Sequence, residues 1–261
     1  MDALGLPFRP TLLSPGMMTV WLGGLGLIAG SFIGLVSLRM PRGENFVTGR
    51  SRCNACGTRL TPLNLVPVVS YVVRRGRCAT CTAPIPRRYP LIELAAAGIG
   101  VWAGLSQPSA LPAVLTALLG WQLLLISLID AEHFWLPDRL TWPLAATGLG
   151  AAILLGQPSV ADSLIGAVVG FGSLWLLAWV YRQLRGRDGL GGGDPFLFAA
   201  GGAWVGWAGL PGVLLWASAA GMSVVAARLL TGGRVSGSDR LPFGPCLAVG
   251  IWATWLLTRN G

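Results

Sequence analysis

Apolar runs, most of them close to the length needed to cross a bilayer, alternate with short polar breaks along nearly all of the 261 residues. A membrane helix needs about 20 mostly apolar residues. On that rule spans are predicted at 18–39, 90–106, 110–129, 140–156, 160–181, 195–210, 211–230 and 243–258. The sixth and seventh are short and divided around Gly209, Leu210 and Pro211, so they read as two helices or as one re-entrant hairpin. One hydrophilic stretch, 40–89, interrupts the pattern, and the sequence shows no repeat of 20–50 residues. The expected organisation is an N-terminal segment with the first transmembrane helix (1–40), a polar loop (41–89) and a transmembrane core (90–261). The fold class is all-α and polytopic, with about eight transmembrane helices and one small loop domain.

Composition supports this. The chain is 53% hydrophobic and 11% charged, with mean hydropathy +0.65, against about 25% charged residues in a soluble domain. Its 38 glycines and 12 tryptophans suit packed membrane helices with interfacial aromatics. The N-terminus, MDALGLPFRP, has no basic n-region and no small-residue cleavage site follows the first apolar run, so that run is expected to stay as a span.

The net charge of +9 has a meaning set by its distribution. All 19 basic residues are Arg, and in an eight-span arrangement 17 of them fall on one side. Only Arg9 and Arg259 fall on the other. By the positive-inside rule the arginine-rich side is cytoplasmic and both termini lie outside. The charge therefore reports orientation, and no nucleic-acid partner is expected.

Against this background two acids stand out. Asp130 ends the run LLLISLID, and Asp194 ends GLGGGD before a long apolar stretch. An aspartate at the centre of a membrane helix costs roughly 2.5–3.5 kcal/mol. Even near an interface, a carboxylate beside so much apolar sequence needs a reason. Both acids, and the polar loop, are separated by even numbers of predicted spans and so share the cytoplasmic side. Paired carboxylates on one side suggest acid/base work. The alternative for Asp130 is a helix-end carboxylate in headgroup water.

The surrounding residues are less specific. DAEHFWLPD (130–138) holds three acids and the only histidine, His133, a potential base or metal ligand. Pro137 breaks any helix, and Asp138 is placed to cap the next span or to pair with Arg139. The glycines before Asp194, Gly191 and Gly193 among them, allow close backbone approach and positive φ. A nucleotide-binding loop would need a following Lys-Ser/Thr and a βαβ context, and neither is present. Glu93 lies just inside a span and is expected to pair with Arg87 or Arg88. Asp162 and Asp239 read as loop or helix-start acids.

Four of the five cysteines form two CxxC knuckles, CNAC (53–56) and CATC (78–81), 21 residues apart. Cys53, Cys56, Cys78 and Cys81 supply four thiolates for a tetrahedral structural zinc. Disulfides or redox chemistry are the alternatives, and a reducing cytoplasm disfavours the first. The fifth, Cys246, lies in an apolar stretch and reads as a small buried hydrophobe.

These residues together resemble the type IV prepilin peptidases, membrane aspartyl proteases of the GxGD kind. The likeness runs from about Gly30 to Gly250 and is carried by GSFIGLVSLRMPRGENFV (30–47), the paired CxxC, VPVVSYVVRRGRC (66–78), PIPRRYPLIEL (84–94), the acid-His-LPD run, GLGGGD and LPFGPCLAVG (241–250). The resemblance puts the catalytic pair on Asp130 and Asp194. It implies cleavage of a short basic leader from type IV prepilins or type II secretion pseudopilins, at the cytoplasmic face of the bacterial inner membrane. It further implies methylation of the new N-terminus with S-adenosylmethionine in many members. Three positions depart from the family's usual residues: Gly34 where Asn is common, Glu132 for a frequent Asp, and Phe196 where many members have Lys.

Two readings compete with the peptidase. One is a catalytically degenerate zinc-loop scaffold of a pilus or secretion system. The other is an ion-coupled transporter, which would favour acids near mid-span and matching broken helices in two halves.

Overall fold

The computed structural model describes residues 14–46, 49, 51–53, 55–187, 189–232 and 242–260. Arg9, Arg50, Arg234, Asp239, Arg240 and the first residue of the LPFGPC run lie outside the described residues. In chain order the helices are α1 (Pro15–Arg39), α2 (Val69–Val73), α3 (Arg88–Ser106), α4 (Ala110–His133), α5 (Asp138–Leu155), α6 (Val160–Arg185), α7 (Asp194–Leu230) and α8 (Phe243–Asn260). Short 3-10 turns cover Met40–Arg42 and Pro62–Leu65. Among the described residues no strand forms, and two isolated β-bridges occur, both in the polar loop.

Local chemistry fixes the boundaries. Ser14 accepts a hydrogen bond from the Met17 N–H, and Pro15 follows it at the first helical position. Ser159 accepts from the Asp162 N–H and donates to its carboxylate, starting α6. α4 ends where Phe134 turns into the left-handed region at φ 51°, and Pro137 then starts α5. Asp138 is the first residue of α5 and makes no side-chain cap, correcting the expected capping role. It still stands in the first turn, where the helix dipole favours an anion.

α7 answers the question of spans six and seven. Its backbone leaves helical geometry at Gly206 (φ 73°, ψ 172°), not at the predicted 209–211. The partners along α8 show that the chain reverses there. Before Gly206, Gly201 lies on Ile251, and Val205 shares a cavity wall with Thr258. After it, Gly209 and Gly212 lie on Thr254, Gly250 lies on Val213, and Gly221 faces Cys246. The segment 194–205 runs parallel to α8 and the segment 207–230 runs antiparallel. α7 is thus a helical hairpin turned by a glycine, since a side chain at such a φ is strained.

Among the described residues five helices are long and apolar enough to cross a membrane: Gly16–Arg42, Arg88–Ser106, Ala110–His133, Val160–Arg185 and Asp194–Leu230. Small residues let them approach closely. A Cβ on Gly202 would stand 2.2 Å from the Gly166 carbonyl oxygen, so α6 meets α7 backbone to backbone. α4 carries two faces. Ala113 and Ala117 pack with Met18, Leu22 and Ala103 of α1 and α3, while Leu119, Leu123 and Ile126 join the main core with α5, α7 and α8. That core centres on Trp204 and Trp255, both fully buried and set edge to face with ring centroids 5.1 Å apart. Each indole N–H is satisfied, Trp204 by the Leu144 carbonyl and Trp255 by Thr116.

Candidate active site and metal centre

The end of α4, the start of α5, the first turn of α7 and the start of α8 converge at one end of the bundle. Asp130 is 6% exposed and Asp194 only 2%. Carboxylates so buried must find partners, and each is held by the N–H of a glycine. Gly191 donates to Asp194 Oδ2 at 2.8 Å, and Gly244 donates to Asp130 Oδ2 at 2.9 Å. Asp194 in turn donates its N–H to the Gly191 carbonyl, closing a tight turn before α7. The two carboxylates are within electrostatic reach of one another and of the Cys246 thiol.

The glycines are there for space. A Cβ on Gly244 would stand 2.6 Å from Asp130 Oδ2, and one on Gly193 would stand 2.4 Å from the Leu136 Cβ. At Gly191 the same atom would meet Asp194 Oδ2 at 3.1 Å. Gly193 therefore brings the acid's loop against the chain that follows Asp130, joining the two halves of the site. Gly244 lies in the LPFGPCLAVG run, which carries part of the family resemblance but gives Gly244 no role of its own. Nothing local ties it to Asp130, 114 residues away.

Neighbouring residues divide between site and scaffold. Arg88 forks onto both oxygens of Glu132, at 2.9 and 2.8 Å, and also donates to Ser37 and the Gly34 carbonyl. This ties α1 and α3 to α4 two residues beyond Asp130. Glu93, expected to pair with Arg87 or Arg88, instead accepts the Val68 N–H at 2.7 Å. The arginine is drawn to the more exposed acid and the buried one takes a backbone donor. Phe196 sets its ring edge to face against Phe171 of α6, centroids 5.0 Å apart. His133 and Asp138 are exposed.

The polar loop runs between the ends of α1 and α3, on the same end of the bundle as the aspartates. Cys53, Cys56, Cys78 and Cys81 place their four sulfurs within 4.8 Å of one another. Cys53 Sγ and Cys81 Sγ are 3.8 Å apart, the edge expected of a tetrahedron with metal–sulfur bonds of about 2.3 Å. None of the four is in a disulfide. The knuckles repeat each other. Cys53 N–H bonds the Thr58 carbonyl and Cys78 N–H bonds the Ala83 carbonyl. The bridges Arg52–Arg59 and Arg77–Pro84 flank them, and Gly57 and Thr82 both take positive φ. A 25-residue structural repeat thus exists where the sequence shows only the two CxxC. Backbone N–H groups of Cys81 and Thr80 pull the Cys78 thiol down to about 6. Cys81 is pushed up to about 12, because the neighbouring sulfurs and burial outweigh the lowering effect of its Ala83 backbone bond. Four sulfurs gathered this closely are, once deprotonated, a donor set suited to a dication.

The fold and its sites thus define a helical membrane protein with a buried carboxylate pair and, at the same end, four clustered cysteines that could hold a metal ion. Residues 25–106 match the Bacterial Peptidase A24 N-terminal domain, and 117–226 match the Type IV leader peptidase family. The chain is similar to a prepilin leader peptidase/N-methyltransferase of Burkholderia pseudomallei (strain K96243), 39% identical over 93% of this chain and 86% of the relative. A namesake from Pseudomonas aeruginosa is 36% identical over 89% and 88%, and one from Aeromonas hydrophila 39% over 81% and 73%. No solved structure gives a significant match. The chain belongs to the type IV prepilin peptidase family.

Proposed function

We propose that the protein is an aspartyl endopeptidase of the bacterial inner membrane that removes the short basic leader of type IV prepilins or type II secretion pseudopilins. The observation that carries this reading is the meeting of Asp130 and Asp194 at one end of the bundle, each carboxylate fixed by a glycine N–H. Two carboxylates in one site do not both ionise cheaply, so the pair holds one proton. The ionised partner takes a proton from water, which attacks the scissile carbonyl. The protonated partner hydrogen-bonds that carbonyl oxygen and then supplies a proton to the leaving amine. Gly191 and Gly244 keep both acids aimed, and Gly193 sets the distance between their loops.

Counting α5, α8 and both arms of α7 beside the other long helices gives eight spans. The one-sided arginines support a cytoplasmic side for the aspartates and the knuckle loop, with both termini outside. A pilin helix with its basic leader in the cytoplasm presents its scissile bond at that face. In the loop Cys53, Cys56, Cys78 and Cys81 would hold a structural zinc, which supplies folding energy. N-methylation of the product, as the relatives' names suggest, would use S-adenosylmethionine. Among the described residues none is assigned to hold it, and the peptidase does not depend on it. Acids at helix ends, not mid-span, disfavour the transporter.

Purified protein incubated with a prepilin, with and without the methyl donor, should yield the mature pilin by mass spectrometry. An intact prepilin under all conditions would overturn the peptidase and favour the scaffold.

A further inference from the structure

The segment joining the two knuckles is not built for water. Leu63 is 80% exposed, Val72 65% and Val73 77%, with Leu65, Val66 and Val69 exposed beside them. These side chains sit in a loop that is otherwise hydrophilic, and large apolar residues clustered on a surface mark a partner. The charge around them is one-sided. From Asn45 to Ile92 the chain contains no Asp or Glu, and Arg75 and Arg77 follow the valines with exposed side chains. Arg74 folds back onto the Asn64 side chain, joining the two ends of the segment.

Its position is fixed by an unusual turn. Val68 has φ 58° and ψ −49°, and the Val69 N–H bonds the Pro67 carbonyl. This is a γ-turn of the rare positive-φ kind, strained for a β-branched residue. The Val68 N–H freed by it points to Glu93 Oε2 at 2.7 Å. Glu93 is buried in α3, about 8 Å along the axis from the helix start at 1.5 Å per residue. A strained turn persists where the surroundings hold it, and here a membrane helix holds it at the level of its own first turns. Leu91 and Leu94 of α3, and Phe134 and Trp135 after α4, expose apolar side chains at this same end.

We propose that residues 63–73 form an interfacial element whose leucines and valines enter the acyl–headgroup boundary of an anionic leaflet. Arg75 and Arg77 meet the headgroups, and Glu93 clamps the turn at that depth. Apolar burial combined with attraction to anionic lipid is the physics of such elements. The knuckles would then be pinned to the membrane between two anchors, the helices at their ends and this segment between them. The partner is the bilayer and not a pilin helix or a second copy, because the excess of cations without acids matches a lipid surface and the tether fixes the depth.

The test uses the full-length protein in nanodiscs, with p-benzoylphenylalanine in place of Val69, Val72, Val73 or, as an equally bulky control in the knuckle, Thr80. After irradiation, mass spectrometry should find a phospholipid adduct at the three valine positions and none at Thr80. The adduct at Val72 should be several-fold stronger with phosphatidylglycerol present than with phosphatidylcholine alone. In the Glu93→Ala background it should fall several-fold, and Glu93→Gln, which keeps an acceptor oxygen for Val68, should restore it. Adducts absent at all valine positions, equal at Thr80, formed only with added prepilin, or formed with a second protein chain would each overturn the proposal.

Discussion

The two polar centres lie at one end of the molecule but are supported in opposite ways. The aspartates sit where long helices meet, backed by a core that includes the fully buried Trp204, Trp255 and Phe198. The knuckle loop has almost no interior; of its cysteines only Cys78 is buried, and its large apolar side chains face outward. A bundle with that core should stay folded when a carboxylate is changed to its amide. A loop without one depends on its sulfurs being held together, since chains this short bury too little apolar surface to be more than marginal on their own. Damage to the first centre should therefore be chemical and local, and damage to the second structural and partial.

The sharpest contrast comes from Asp130→Asn and Asp194→Asn. Either should lower prepilin cleavage by about 10³-fold or more, with thermal stability in detergent unchanged, because Asn still accepts the glycine N–H. Cleavage near the wild-type rate in either variant would remove that aspartate from the mechanism.

Gly244→Ala comes next. Its Cβ would press on Asp130 Oδ2 at 2.6 Å, whereas the Cβ of Gly191→Ala meets Asp194 Oδ2 at 3.1 Å. Misplacement approaching 1 Å costs about 10²-fold, so Gly244→Ala should lose roughly that much kcat and Gly191→Ala distinctly less. Equal rates for the two would show that the glycines do not set the carboxylate positions.

Removing the metal should be milder for catalysis. Chelation, or the Cys53→Ser/Cys78→Ser pair, should abolish stoichiometric zinc and make residues 43–87 sensitive to protease, with reduced but measurable cleavage of prepilin. Because the ligands must lose protons, zinc affinity should fall as pH falls. Full protease resistance of the metal-free loop would contradict its lack of a core.

The smallest effect belongs to the link between the regions. Arg88→Lys keeps the charge but loses the fork onto Glu132. The pair is partly exposed, with side chains 22% and 35% accessible, so its loss should cost no more than about 1 kcal/mol. Cleavage should drop by a few-fold, and Asp138→Asn, at an exposed helix start, should change it less. A larger loss in Asp138→Asn than in Arg88→Lys would reverse the assigned roles.

Much of this was legible in the chain because membranes constrain sequence strongly. Apolar length alone located every long helix, and the four thiols announced themselves by spacing. The parity of spans put both aspartates on the side of the knuckle loop, and the structure gathers all three at one end. What escaped was tertiary. The reversal in α7 falls at Gly206, inside an apolar run where a single glycine among several gives no local sign. Gly244 reaches Asp130 across 114 residues. Glu93 was expected to follow charge, but burial gave it a backbone partner, and the arginine went to Glu132. The repeat in the knuckles is written in backbone hydrogen bonds and left-handed turns, with few shared side chains.

The central claim is that Asp130 and Asp194 act as one unit, and a double-mutant cycle tests it most directly. Single-turnover cleavage of a prepilin should be measured for the wild type, each Asn variant and the double Asn variant. Groups that share one catalytic step are strongly non-additive, so the double variant should be no slower than the slower single one. Losses that multiply, with the double variant slower by the product of the two single effects, would show two independent contributions and contradict a shared carboxylate pair.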